Sequence, residues 1–142
     1  YPLHVILRYR IEKAVIGGDL EVRDLPAAWN EGMERLLGLT PPSDREGCLQ
    51  DIHWFGGDFG YFPTYTLGAM AAAQLFEAAK ENDAAICDGV RCGDFAPLRA
   101  WLRANVHSKG SFPTSKELMI QASGRELDPE AFQRHLRARY LS

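Results

Sequence analysis

Apolar residues recur every three or four positions along most of the chain, which is the spacing of one face of an α-helix. The first segment carries a stripe of five such residues: Leu3, Leu7, Ile11, Ala14 and Val15. Three more apolar residues lie on its other faces: Val5, Ile6 and Tyr9. A helix with apolar residues on several faces needs neighbours on several sides, so this first helix is expected to be packed all round.

Glycine and proline divide the rest of the chain into further helical segments. These segments lie at residues 24–38, 63–82, 84–90, 94–110, 114–122 and 128–140. Thr114 followed by Glu117 is a capping box, and Asp94 and Asp128 precede helix starts. Residues 20–25 alternate weakly but are too short and too charged to start a sheet. The pattern predicts an all-α fold of six or so helices.

Composition supports one globular unit over residues 1–142 and excludes some partners. Hydrophobic residues make up 46% and charged residues 25% of the chain. Lys and Arg total 16 against 19 Asp and Glu, a net charge of −3 that offers no basic surface for nucleic acid. No apolar run reaches the roughly 18 residues of a membrane span. We expect a cytoplasmic protein with no membrane or nucleic-acid partner and with three free thiols, at Cys48, Cys87 and Cys92.

Candidate chemistry is concentrated in residues 43–60, which we interpret as a short helix entering a glycine-rich loop. Gln50, Asp51 and His53 offer an amide, a carboxylate and an imidazole within four positions. A carboxylate can hold an imidazole in one tautomer and leave its other nitrogen for a ligand. Tyr61 and Tyr65 lie one helical turn apart and can present two hydroxyls to the same space.

A purely structural interpretation of this segment is also open. His53 and Trp54 can pack a loop while Asp51 caps a turn. The other histidines favour structural or surface roles, because His4 lies among apolar residues, His107 near a helix end and His135 among arginines. No two histidines have the spacing of a zincin helix, and the sequence shows no phosphate loop or nucleophile elbow, so no metal ligands are assigned to this chain.

At this segment the sequence resembles the carboxypeptidase Taq family of zinc metallocarboxypeptidases. Gly47-x-x-Gln50-Asp51-x-His53-Trp54 reproduces the GxxQDxHW signature of that family, and its usual continuation follows at residues 60–65. The resemblance to the family sequence extends from the first nine residues to Phe132-x-x-His135-Leu136, so it covers essentially the whole chain. Family members are longer, mostly helical, cytosolic and commonly homodimeric, and they remove residues from peptide C-termini.

The resemblance implies that this chain is the C-terminal part of a larger helical metallopeptidase of the zincin type. The metal of the family, usually zinc with cobalt as a substitute, is held by an HExxH helix and a glutamate that would lie upstream of Tyr1. The chain would then supply part of the substrate groove and be inactive alone, needing the missing N-terminal portion. In this interpretation His53 is a catalytic donor to the substrate or oxyanion, supported by Asp51 and Gln50.

Within the same interpretation Tyr61, Tyr65 and Gln50 contact the peptide substrate at its C-terminus, and Trp54 packs behind them. The competing hypothesis is a non-catalytic helical module that binds peptides or proteins through the same loop. Apolar faces on the first helix also predict self-association, consistent with a homo-oligomer.

Overall fold

The computed structural model describes residues 1–141, which form eight α-helices and no strand within that range. The helices are α1 Pro2–Gly17, α2 Leu25–Leu37, α3 His53–Gly56, α4 Phe62–Asn82, α5 Ala85–Cys92, α6 Ala96–Asn105, α7 Ser115–Ser123 and α8 Glu130–Tyr140. Single 3₁₀ turns lie at Val22–Asp24, Cys48–Gln50 and His107–Lys109. This confirms the predicted all-α fold. In the described part of the chain, no helix is both long and apolar enough to span a bilayer.

Internal contacts divide the chain into two compact units, Tyr1–Leu67 and Gly68–Ser142. Helix α4 contributes its first residues to the first unit and the remainder to the second. Each unit has its own buried apolar cluster.

The core of the first unit lies between α1, α2 and the turn at Cys48. Its buried members are Leu7, Ile11, Trp29, Met33 and Cys48. Gly32 lets the two helices approach closely, because a Cβ at that position would collide with the side chain of Leu7. The predicted stripe on α1 is partly wrong: Leu3 is 40% exposed, whereas the charged Glu12 is only 7% exposed.

The second unit is held by apolar contacts and by a buried amide. Ala79, Ile86 and Trp101 form its core. Gln74 is 1% exposed, and it joins α4 to the segment that follows α7. The predicted capping box is present, since Thr114 and Glu117 exchange side-chain and backbone hydrogen bonds at the start of α7. All three cysteines are free thiols, as expected.

Candidate functional site

The signature segment forms a 3₁₀ turn, the one-turn helix α3 and a tight loop before α4. Gly57 and Gly60 have φ angles of 82° and 77°, which a side chain would strain, so the loop needs glycine at both positions. Asp51 closes the turn that leads into α3, because its Oδ1 accepts from the backbone N–H of His53 at 2.9 Å. This is the turn-capping role that the structural interpretation assigned to Asp51.

The same carboxylate also orients the imidazole of His53. Asp51 Oδ1 lies 3.1 Å from His53 Nδ1, and His53 Nε2 lies 2.9 Å from the hydroxyl of Tyr65. A carboxylate only accepts, so Nδ1 carries a proton and donates it to Asp51. In neutral His53 the Nε2 atom is therefore an acceptor, and the Tyr65 hydroxyl donates to it. Orienting the imidazole and closing the turn are the two roles predicted for Asp51, and in the structure its one side chain makes both contacts.

Arg8 on α1 completes this arrangement and was not anticipated from the sequence. Its Nε donates to Asp51 Oδ2 at 2.5 Å, where the Asp51 side chain is 1% exposed. Its guanidinium also lies 4.6 Å from the ring centre of Trp29. The sequence did contain one indication of this role, because Arg8 is a charged residue on a helix with apolar residues on several faces. Such a residue needs a partner, but 43 positions of sequence separation hid which one.

His4 lies one turn before Arg8 and contacts the same guanidinium. Arg8 Nη1 donates to the His4 carbonyl at 3.1 Å and lies 3.3 Å from His4 Nδ1. Because a guanidinium only donates, Nδ1 accepts and the proton of neutral His4 is on Nε2. Burial and the nearby charge of Arg8 both lower the pKa of His4, which favours this neutral form. His4 therefore has a more specific surrounding than the packing role expected for it.

These groups line one cavity of about 340 Å³. Its polar lining residues are Tyr1, His4, Arg8, Gln50, Asp51, His53 and Tyr65. The charges of Arg8 and Asp51 offset each other, so the groups left to meet a ligand are mainly neutral donors and acceptors. The cavity has the size and the mixture of apolar wall and convergent polar groups that are typical of a small-ligand site.

Aromatic rings surround the imidazole of His53. The Phe62 ring centre lies 4.9 Å from it, and the Tyr61 ring is stacked on it at 6.1 Å. The edge of Tyr1 contacts Tyr65 at a ring separation of 6.2 Å. Loss of solvation, followed by the neighbouring hydroxyl of Tyr61, raises the pKa of Tyr65. The Tyr65 hydroxyl therefore stays protonated throughout the neutral pH range.

The remaining predicted site residues lie at the edge of this cavity or behind it. Gln50 lines the cavity, and its amide donates to the Arg45 carbonyl at 2.6 Å. Tyr61 is 47% exposed and touches the rings of His53 and Tyr65. Trp54 points away into the apolar core, where its ring meets Trp29 edge-on.

The described residues do not fit a metal site of their own. Over positions 1–141 no group of three or more His, Cys, Asp or Glu side chains is placed to hold a metal ion. The chemistry available here is hydrogen bonding to a carbonyl or carboxylate, and proton exchange at His53 Nε2 through Tyr65.

Comparison with known proteins identifies similar chains. The sequence profile of the carboxypeptidase Taq (M32) metallopeptidases matches residues 1–140. The chain is 42% identical to thermostable carboxypeptidase 1 of Pyrococcus furiosus over 141 residues, which are 99% of this chain and 28% of that protein. It is 45% identical to carboxypeptidase 1 of Bacillus subtilis over 128 residues, which are 90% of this chain and 26% of that protein.

A solved structure of a metallocarboxypeptidase has the same fold over this chain. Metallocarboxypeptidase 1 of Trypanosoma cruzi matches with a TM-score of 0.94 at 46% identity. The match covers 100% of this chain and 30% of that chain. The chain thus spans a little over a quarter of the length of the curated relatives it matches.

Proposed function

The chain belongs to the carboxypeptidase Taq (M32) family of metallopeptidases, and on that premise we propose that it forms part of the substrate groove of a metallocarboxypeptidase. The family implies a metal cofactor, and its ligands would come from outside residues 1–141. Zinc is the proposed metal, with cobalt as a substitute, in a cytoplasmic and homodimeric enzyme. The non-catalytic module is not favoured, because the relatives named above are all carboxypeptidases.

One observation carries the role proposed for this chain: the line of hydrogen bonds from Asp51 through His53 to Tyr65 ends at the cavity wall. Proposed substrates are peptides, bound with their C-terminal residue in the cavity. A volume of about 340 Å³ is at the small end of ligand pockets and suits a single terminal residue. His53, Tyr65 and Gln50 are the proposed contacts to that residue, with Tyr61 at the rim and Trp54 behind.

Proton position decides what this line of hydrogen bonds can do. In neutral His53 the Tyr65 hydroxyl donates to Nε2, so neither group offers its proton to the cavity. When Nε2 gains a proton it donates to Tyr65, and the Tyr65 O–H is released toward a ligand oxygen. Asp51 Oδ1 accepts from Nδ1 in both protonation states of the ring, and Arg8 holds Asp51 in place. A carboxylate or a developing oxyanion would therefore be met by the Tyr65 hydroxyl. The direction of this donor is set by the line of hydrogen bonds that runs from Arg8 through Asp51 and His53 to Tyr65.

The test is His53→Ala in the complete enzyme that this proposal assigns to the chain. We expect kcat/KM for peptide hydrolysis to fall by at least ~10²-fold, the scale of losing one donor that acts in the transition state. Metal content, measured by elemental analysis, should stay normal and would identify the metal.

His135→Ala is the matched control, since His135 is an exposed histidine on α8. It should leave the kinetics unchanged. Unchanged kinetics in His53→Ala would instead return His53 to loop packing, and loss of metal in that variant would contradict the proposal that the metal ligands all come from outside residues 1–141.

A further inference from the structure

Glu12 is a buried carboxylate that the proposed function does not yet use. It is 7% exposed and accepts two hydrogen bonds from the signature segment. Trp54 Nε1 donates to its Oε2 at 3.0 Å, and the backbone N–H of Gly60 donates to its Oε1 at 2.7 Å. Each of the two carboxylate oxygens of Glu12 therefore accepts from one neutral N–H group.

The two donors lie at the two ends of the loop that joins His53 to Tyr61. Trp54 directly follows His53, and Gly60 directly precedes Tyr61. One side chain on α1 therefore holds both ends of the segment between these two residues. Gly57 and Gly60, both at positive φ, contribute no side chain that could hold the shape of this segment.

We propose that Glu12 is a positioning residue that sets the distance between His53 and Tyr65 by anchoring Trp54 and Gly60. This inference rests on the proposed function for its kinetic consequence and on the contacts alone for its structural one.

Ring contacts show how a displacement at Trp54 would reach His53. The indole of Trp54 meets Phe62 at a ring separation of 5.7 Å, and Phe62 in turn lies 4.9 Å from the imidazole. Phe62 is 1% exposed, and a close-packed interior leaves a buried ring little free space. Trp54, Phe62 and His53 therefore shift together when the anchor is lost.

A glutamate at this position has no equivalent replacement. Glutamine keeps one acceptor oxygen but turns an amide N–H₂ toward the second donor, so either Trp54 or Gly60 loses its partner. Aspartate keeps the charge and both acceptors but is shorter by one methylene and cannot reach both donors from α1. The two variants therefore distinguish the number of acceptor oxygens at position 12 from the length of the side chain that carries them.

The experiment compares Glu12→Gln with Glu12→Asp in the complete enzyme. We expect kcat to fall roughly 10- to 100-fold in Glu12→Gln with metal content unchanged, the range typical of residues that orient an active-site group. In selectively labelled protein, the Trp54 indole N–H and the His53 ring signals should shift in the NMR spectrum, while those of His135 stay in place. Glu12→Asp should keep part of the hydrogen bond to Trp54 or Gly60. Its kcat should therefore lie between those of the parent enzyme and Glu12→Gln.

Glu117→Gln is the matched control, because Glu117 also accepts two hydrogen bonds, from the backbone and hydroxyl of Thr114. It should lower the melting temperature without changing kcat. A purely structural Glu12 would behave in the same way, with a lower melting temperature but unchanged kcat and His53 signals, and this would overturn the proposal. Shifted His53 signals in Glu12→Gln, in an enzyme where His53→Ala keeps full activity, would support the positioning and reject the proposed function instead.

Discussion

Two polar clusters in this chain are both built on a buried, hydrogen-bonded side chain but differ in the groups at which they end. In the second unit, Gln74 donates from Nε2 to Ser123 Oγ at 2.8 Å and to the carbonyls of Arg125 and Glu126. Its Oε1 accepts from the backbone of Asp128 at 3.1 Å. In the first unit, Asp51 binds Arg8 and His53, and the line of contacts continues to a hydroxyl on a cavity wall.

The difference separates a structural cluster from the candidate functional one. Both polar ends of the Gln74 amide are bonded to groups of its own unit, so the amide holds α4 against the segment after α7. Asp51 is equally buried, at 3% exposed, yet it orients a side chain that can exchange a proton and face a ligand. Burial and satisfied hydrogen bonds are common to both clusters. The Asp51 cluster differs in that its titratable side chains line a cavity.

Asp51→Asn should have the largest effect of the substitutions that test this contrast. Asparagine has one acceptor oxygen, so its amide N–H₂ must face either the Arg8 guanidinium or the N–H groups of His53. We expect a loss of about 3 kcal/mol in the free energy of unfolding, near the lower range for breaking a buried ion pair. Activity should fall by at least about 10²-fold, because the imidazole tautomer is no longer specified.

Asp88→Asn is the control for that substitution, since Asp88 pairs with Arg91 at 3.7 Å and its side chain is 79% exposed. It should change neither quantity measurably. If Asp51→Asn lowers stability but leaves kcat unchanged, the two clusters are of the same kind and the contrast fails.

Gln74→Leu should affect stability alone. The leucine fills similar volume but leaves the Asp128 N–H and the Glu126 carbonyl without the amide partner, whereas the Arg125 carbonyl keeps the Ser123 hydroxyl. The cost should be about 1–3 kcal/mol in the free energy of unfolding. Chemical denaturation measures this cost, with Gln133→Leu as an exposed control on α8. The specific activity of the folded enzyme should not change. A fall in kcat beyond the loss of folded protein would show that the Gln74 cluster is also linked to catalysis.

Glu77→Gln should give the smallest effect, and one that depends on pH. Arg134 donates to both oxygens of Glu77, at 3.0 and 2.6 Å. These bonds lower the pKa of Glu77 below its usual value, against an opposing contribution from burial. The resulting stability is present above the ordinary carboxyl pKa and is lost as pH falls through the lowered value. Its size should be below that of Gln74→Leu, because the pair is solvent-accessible.

Melting temperatures measured from pH 6 down to pH 3 test this expectation. Glu77→Gln should melt below the parent at pH 6, and the two curves should converge as the pH falls. Parallel curves would show that the ion pair contributes nothing that depends on the charge of Glu77.

Local patterns predicted much of what is local in the structure. The capping box at Thr114 and the glycine ends of α1 and α2 follow from residue types whose hydrogen bonds lie within a few positions. The signature segment located the candidate site for the same reason, because Asp51 and His53 interact two positions apart. The stripe on α1 was partly wrong, because helical spacing alone does not show which face the neighbouring helix covers.

What remained hidden from the sequence is what long-range packing brings together. Arg8 meets Asp51, and Glu12 meets Trp54 and Gly60, across more than forty positions. The sequence by itself determined an all-helical chain, its family and the segment that forms the candidate site, because these depend on local spacing and on a nearly contiguous motif. Only the tertiary structure decided which charges on α1 face that segment, because the partner of a buried charge is chosen by the packing of α1 against the loop rather than by its own neighbours in sequence.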